Sequence, residues 1–311
     1  LRCLVGSEMC IRDREQASNL VGIQGEAQSA YITLDVVEAL KARVYLEMED
    51  YQNAAAAAQG LINSKRYTLI SDGDAYKKMW LNDVGTEAIW QFAMSKTETG
   101  SNALGSSFMG IVDKLPRPSY LPVKSVLNLY DKENDIRYDA YFTTGLIDRQ
   151  VGDDIEVTYC SKWPGNPELY EGKSNNVNKL KAFRISEMYL IAAEAYAMLN
   201  QEDKASEMLN ELKKIRIKGW TETVYNGAAL MQEIQDERVR ELFAEGNRLF
   251  DMKRWKIGMK RSSSDAQRDD YLPALGTDIE KEATDNRWVW PIPKDEMDSN
   301  PQLKGQQNPG Y

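Results

Sequence analysis

Two stretches of this chain, 151 residues apart, carry the same succession of apolar residues at helical spacing, each interrupted by one polar turn. In the first, Leu34, Val37, Leu40, Val44, Tyr45 and Met48 form a stripe, Glu49-Asp50 breaks it, and Tyr51, Ala54, Ala55, Ala58, Leu61 and Ile62 form another. In the second, Ile185, Met188, Tyr189, Ala192, Ala195, Tyr196 and Leu199 precede Ala205, Met208, Leu209, Leu212 and Ile215. Asn200 and Asp203 lie between these two as a capping signal. Apolar residues recurring at three and four positions share one face of a helix, so each stretch predicts a helical hairpin. The alanines at 54 to 58 remove bulk and let two helix axes approach closely. Sliding one hairpin onto the other superposes Ala42 on Ala193, Tyr45 on Tyr196, Ala54 on Ala205 and Leu61 on Leu212.

Such pairs are tetratricopeptide-like. Because they are separated in the chain, a regular solenoid of tandem repeats is not expected, and the hairpins should dock through intervening structure. Between them Ala88 to Phe92 reads as a short strand, and Tyr76 and Trp80 lie on one side of a short helical segment. Residues 93 to 123 are rich in Gly and Ser with Pro116-Arg117-Pro118 near their end, and 145 to 179 and 262 to 287 are also irregular. A further helix is predicted over 228 to 244. The expected architecture is mainly α: tetratricopeptide-like helical hairpins with long irregular loops and a few short strands, as one domain over residues 15 to 311. Residues 1 to 14 resemble a translated sequencing adapter more than a signal peptide, since they lack an extended apolar region. They are expected to be a non-native leader.

The chain contains no histidine, which excludes Ser-His-Asp and Cys-His catalysis and paired-histidine zinc sites within it. Cys3, Cys10 and Cys160 lack metal-ligand spacing, and Cys160 reads as a packing residue. Asp131-x-Glu133-x-Asp135 begins like a calcium loop, but Ile136 replaces the required glycine and Phe142 the bidentate glutamate. No phosphate-binding glycine loop or nucleophile elbow is present, so neither metal nor cofactor is expected. A net charge of −9 without a basic cluster argues against nucleic acid. No run of 18 apolar residues is present.

Long loops in a compact domain are where ligand sites concentrate. Tyr120, Tyr159, Trp163 and Tyr170 sit there among Asn, Ser, Gly and Pro, with Asn102 and Asn166 nearby in sequence. A sugar presents an apolar face and a hydroxyl rim, so flat rings beside amides are the residue types that would hold it. These six are the candidate ligand-binding residues. Arg238 stands four residues after Ile234 and four before Leu242, on an apolar face, and is expected to pair with Glu241 or Glu245 as a structural brace. Two other readings are a carboxylate-based glycosidase, using pairs such as Asp153-Asp154 or Asp269-Asp270, and a tetratricopeptide-type adaptor for protein partners.

Several segments, in order, resemble the C-terminal part of SusD/RagB proteins. They are Arg184 to Tyr196, Glu237 to Trp255, Trp290-Pro291-Ile292-Pro293 with Glu296, Asn300-Pro301 and the closing Asn308-Pro309-Gly310-Tyr311. Ala39 to Ile62 and Leu129-Tyr130 to Asp135-x-Arg137 also look like that family, so the resemblance covers roughly residues 28 to 311. It implies a non-catalytic, mostly helical SusD-like α/α superhelix containing tetratricopeptide units. It further implies a lipid-anchored protein on the extracellular face of a Gram-negative outer membrane, binding a glycan or oligosaccharide and capping a SusC-like TonB-dependent transporter. The matched motifs are scaffold and carry no ligand residues across. Set against that family's full-length pattern, the lipobox cysteine, signal peptide and earlier helices are expected to be missing from this chain.

Overall fold

The computed structural model describes residues 13, 16, 17 and 21–311, apart from 98–103, 113–114, 150–151, 173, 175, 269–278 and 304. Helix α1 (Leu34–Glu47) begins at Thr33, whose side chain accepts from Val36 N, and α2 (Tyr51–Asn63) at Asp50, which accepts from Asn53 N. Next come α3 (Gly73–Leu81), capped by Asp72, and strand β1 (Ala88–Gln91). One-turn helices at Leu104–Phe108 and Lys124–Leu127 lead to α4 (Ile136–Tyr141), which Asp135 caps. Strands β2 (Phe142–Ile147) and β3 (Ile155–Cys160) pair antiparallel from Phe142↔Cys160 to Ile147↔Ile155. Strand β4 (Lys181–Arg184) pairs antiparallel with β1 and runs directly into α5 (Ile185–Met198). Helices α6 (Glu202–Arg216) and α7 (Gly227–Glu241) follow.

The architecture is mainly helical, as the periodicity predicts. The two hairpins keep the 151-residue offset in their backbones: α1 and α5 begin at 34 and 185, and α2 and α6 at 51 and 202. The turn residues Glu49 and Asn200 adopt matching left-handed conformations, with φ of 60° and 57°. That conformation costs a non-glycine residue about 1–2 kcal/mol, and here it reverses the chain in one step. Asn200 therefore sets the turn, and α6 starts at Glu202, after an N-cap residue, Gln201, whose side chain makes no capping bond.

The docking of the hairpins differs from the sequence expectation. They pack directly, α2 along α5, and no intervening segment separates them. Ala54, Ala55 and Ala58 on α2 and Ala192, Ala193 and Ala195 on α5 are all buried, so small side chains let the backbones approach. The chain between the hairpins is displaced to the side of this contact. Helix α5 also meets α1, α6 and α7, so ten of its fourteen residues are buried and its sequence is apolar nearly all round. A second apolar cluster of Tyr76, Met79, Trp80, Tyr130, Tyr141, Phe142 and Trp163 forms between α3, α4 and the loops beside them.

The described residues divide into two compact units, one ending at Ala244 and one spanning Glu245–Tyr311. The boundary coincides with the end of α7, at Glu241 and not at 244, and with left-handed Ala244 (φ 57°) and Gly246 (φ 83°). The carbonyls at and just beyond the end of α7 are taken by side chains. Tyr130 donates to Arg240 O at 2.9 Å, Arg184 and Tyr141 to Glu241 O at 2.9 and 3.1 Å, and Lys162 to Phe243 O at 2.7 Å. The second unit holds α8 (Arg248–Arg254), the antiparallel pair β5 (Met259–Arg261) and β6 (Ile279–Lys281), and the short α9 (Lys294–Ser299).

Candidate functional site

The first two irregular stretches of the sequence assemble into one loop surface of the first unit. The segments 107–110 and 117–119 run side by side, with Arg117 N donating to Met109 O at 2.7 Å and Ser119 N to Ser107 O at 2.9 Å. Asp148 N donates to Pro116 O at 2.9 Å, which joins this fold of chain to the end of the β2–β3 hairpin. Gly105 sits so close to the 163–176 loop that a Cβ there would lie 2.1 Å from Trp163 O, so glycine is required for the approach. The β2–β3 hairpin itself falls in a region that reads as irregular in sequence, although Ile155, Val157 and Tyr159 are buried on alternate positions as a strand demands.

The six candidate ligand residues separate by burial. Tyr120 is 63% exposed, and its ring meets half-buried Phe108 at a centroid distance of 6.3 Å and a tilt of 55°. Tyr170 is half-buried just after the Pro167–Leu169 turn, beside the exposed pair Lys96–Glu171 at 3.1 Å. Tyr159 is buried on β3, where burial raises its hydroxyl pKa. Trp163 is only 2% exposed and packs edge-on against Trp80 at 5.0 Å. Lys162 Nζ lies 4.1 Å from the Trp80 ring and 3.9 Å from that of Tyr141, so the aromatic cluster holds a protein cation. Asn166 is fully buried: it caps Glu168 N at 3.0 Å and donates to Asn82 O at 3.1 Å and Asp83 Oδ2 at 2.9 Å. Asn102 lies outside the described residues.

Trp163 and Asn166 thus face inward, where a large ring gains most from leaving water and an amide must find partners. Asp83 organises this loop. It accepts from Asn166, from Lys179 N at 2.9 Å and from Lys181 Nζ at 2.9 Å. Sequence reasoning missed Asp83, and likewise Phe108 and the Arg117–Asp148 ion pair beside the Tyr120 loop. The Pro-Arg-Pro triplet marks Arg117 as restrained, but its partner is 31 residues away.

The brace is wider than the sequence suggests. Arg238 lies against Glu194 of α5, Nε to Oε2 at 3.9 Å. Glu241 is engaged elsewhere, with Arg137 Nη1 at 3.0 Å, Arg184 Nη1 at 2.8 Å and Arg216 at 2.9 and 3.0 Å. Burial alone would raise the Glu241 carboxyl, but Arg216, Arg184 and Arg137 outweigh it and hold it well below the usual range. In the same way Glu237, beside Arg137, Arg240 and Lys213, is lowered to about 2. Such carboxylates are fixed anions, saturated with donors and sealed from a substrate. Asp153-Asp154 is exposed to solvent, and Asp269-Asp270 lies outside the described residues.

Burial pushes the Cys160 thiol up to about 11, in keeping with a packing role. Among the described residues no group of three His, Cys, Asp or Glu is arranged to hold a metal, and no helix is long and apolar enough to cross a membrane. A cleft of about 440 Å³ lies away from the loops at the α5–α6 turn, lined by Asn200, Gln201, Glu202, Asp203, Lys204 and Asn226. Its groups serve one another: Gly227 N donates to Glu202 at 3.0 Å and Lys204 to Gln201 at 2.8 Å.

Comparison with known proteins places this architecture. A sequence model of the SusD family matches residues 151–311. A SusD-like protein of Formosa agariphila, P38, is 24% identical over 96% of this chain and 63% of its own length. The crystal structure of a SusD superfamily protein from Bacteroides thetaiotaomicron superposes with a TM-score of 0.78 at 28% identity, covering 97% of this chain and 66% of that one. The surface glycan-binding protein A of Bacteroides uniformis shares the fold, with a TM-score of 0.66 at 19% identity over 97% of this chain and 68% of its own. The chain spans less than two thirds of the length of the first two of these relatives.

Proposed function

The chain belongs to the SusD family, and we propose that it is a non-catalytic carbohydrate-binding protein whose loop surface around Tyr120 captures an oligosaccharide. The observation that carries this reading is the pairing of an exposed aromatic platform with polar side chains on a braced helical scaffold. Tyr120 keeps 63% of its surface in solvent and is backed by Phe108. Burying such a ring against the apolar face of a pyranose, with hydroxyls directed to flanking polar groups, is the arrangement a sugar site requires. That a structural neighbour is named a surface glycan-binding protein supports the same class of ligand. Within this reading the protein acts on the extracellular face of the outer membrane, held by a lipid anchor. There it passes its ligand to a SusC-like TonB-dependent transporter.

Titration calorimetry against a panel of oligosaccharides tests the binding role, and the expected outcome is heat of binding that Tyr120→Ala reduces at least tenfold in affinity. Binding unaffected by that change would move the site elsewhere. Transport is tested separately, by co-purification of the full-length protein with an outer-membrane partner.

A further inference from the structure

Resting on that carbohydrate-binding reading, we infer that the Tyr120 surface selects neutral oligosaccharides over acidic ones, and that Asp148 sets this selectivity by occupying Arg117. A guanidinium next to an aromatic platform is the side chain best suited to a uronate or sulfate, because its N–H groups match an oxyanion two at a time. Arg117 stands on the loop that carries Tyr120, three residues upstream of it. Its Nη2 is already engaged by Asp148 Oδ2. The pairing is built into the backbone, since Asp148 N donates to Pro116 O at 2.9 Å and Arg117 N to Met109 O at 2.7 Å. Both side chains are partly withdrawn from water, 31% and 23% exposed, so their attraction is less screened than that of a freely solvated pair.

An acidic sugar must therefore compete with a carboxylate that is tethered at the guanidinium. The chain as a whole carries −9. A neutral sugar meets no such opposition. It can stack on Tyr120 while its hydroxyls donate to Asp148 and accept from Arg117 without separating the pair.

The test measures affinities for neutral cello-, malto-, xylo- and manno-oligosaccharides beside oligogalacturonate and a sulfated oligosaccharide, at low and moderate salt. The wild-type protein is expected to bind at least one neutral series at least tenfold more tightly than either acidic one. Asp148→Asn releases Arg117 and is expected to raise affinity for oligogalacturonate at least tenfold, a gain that Arg117→Gln in the same background removes. Arg117→Gln alone, with Asp148 left charged, is expected to weaken acidic binding further, and thermal melts of each variant report folding. Equal wild-type affinity for acidic and neutral series, or an Asp148→Asn variant with an unchanged ratio, overturns the selectivity while binding through Tyr120 stands. If no oligosaccharide binds, or if binding ignores Tyr120→Ala, the carbohydrate site fails and the selectivity with it.

Discussion

Arg216 grips Glu241 with two donors at once: Nε reaches Oε2 at 3.0 Å and Nη2 reaches Oε1 at 2.9 Å, with both side chains fully removed from solvent. The same guanidinium donates to Glu87 at 2.8 Å, and Arg184 bridges the same two carboxylates at 3.1 and 2.8 Å. Glu87 precedes β1, Arg184 ends β4, Arg216 ends α6 and Glu241 ends α7, so one charge network ties the helical stack to the inserted segment.

Removing the charge of Glu241 strands three buried arginines. Glu241→Gln is expected to cost about 3–5 kcal/mol, the usual penalty for breaking a buried ion pair from one side. Urea denaturation measures it as a lower midpoint. A loss under about 1 kcal/mol would mean that the arginines re-pair with Glu87 and Glu237.

Acid should weaken the fold in a defined window. The folded carboxyl of Glu237 titrates near 2, below the value of about 4.3 for an unfolded glutamate. Its contribution is therefore fully present above about pH 4.3 and is lost as pH falls through about 2; Glu241, shifted in the same direction, adds to the effect. Denaturation midpoints are expected to be level above about pH 5 and to decline below it, with a shallower decline in Glu237→Gln.

Two aromatic residues that look alike in sequence should behave oppositely. Trp163→Ala empties part of a packed cluster and is expected to cost about 3–5 kcal/mol. Tyr120→Ala changes an exposed ring and is expected to stay within about 0.5 kcal/mol. Thermal melts of the two variants decide the assignment: equal losses would contradict it.

The loop that carries Trp163 depends on Asp83. Asp83→Ala leaves Lys181 buried without its carboxylate and Asn166 without one of its acceptors. Hydrogen exchange at the amides of residues 165, 166 and 179 is expected to accelerate while α2 and α5 stay protected. Uniform acceleration across both regions would show instead that the loop and the helical stack open together.

Much of this was legible in the chain. The stripes of α1, α2, α5 and α6 have a single helical solution because their period admits no other, and the 151-residue offset survives to the turn residues Glu49 and Asn200. Tyr76 and Trp80 anchor α3 as their spacing suggests. Where the sequence is silent, the deciding partner is distant along the chain. Arg238 meets Glu194, which stands on α5. Loop composition offers Trp163 and Asn166 as ligand residues, but it carries no record of the aromatic cluster and of Asp83, which draw them inward.

Sequence by itself therefore determined the helices, their turns and the family's scaffold, because period and propensity act over a few residues. Tertiary structure alone decided which charges are spent inside the brace and which aromatic ring remains in water, because burial and pairing depend on residues brought together from far along the chain. Tyr120 and Trp163 show the division: one residue type or the other suits a loop equally well, and only the packing around each says which can meet a ligand.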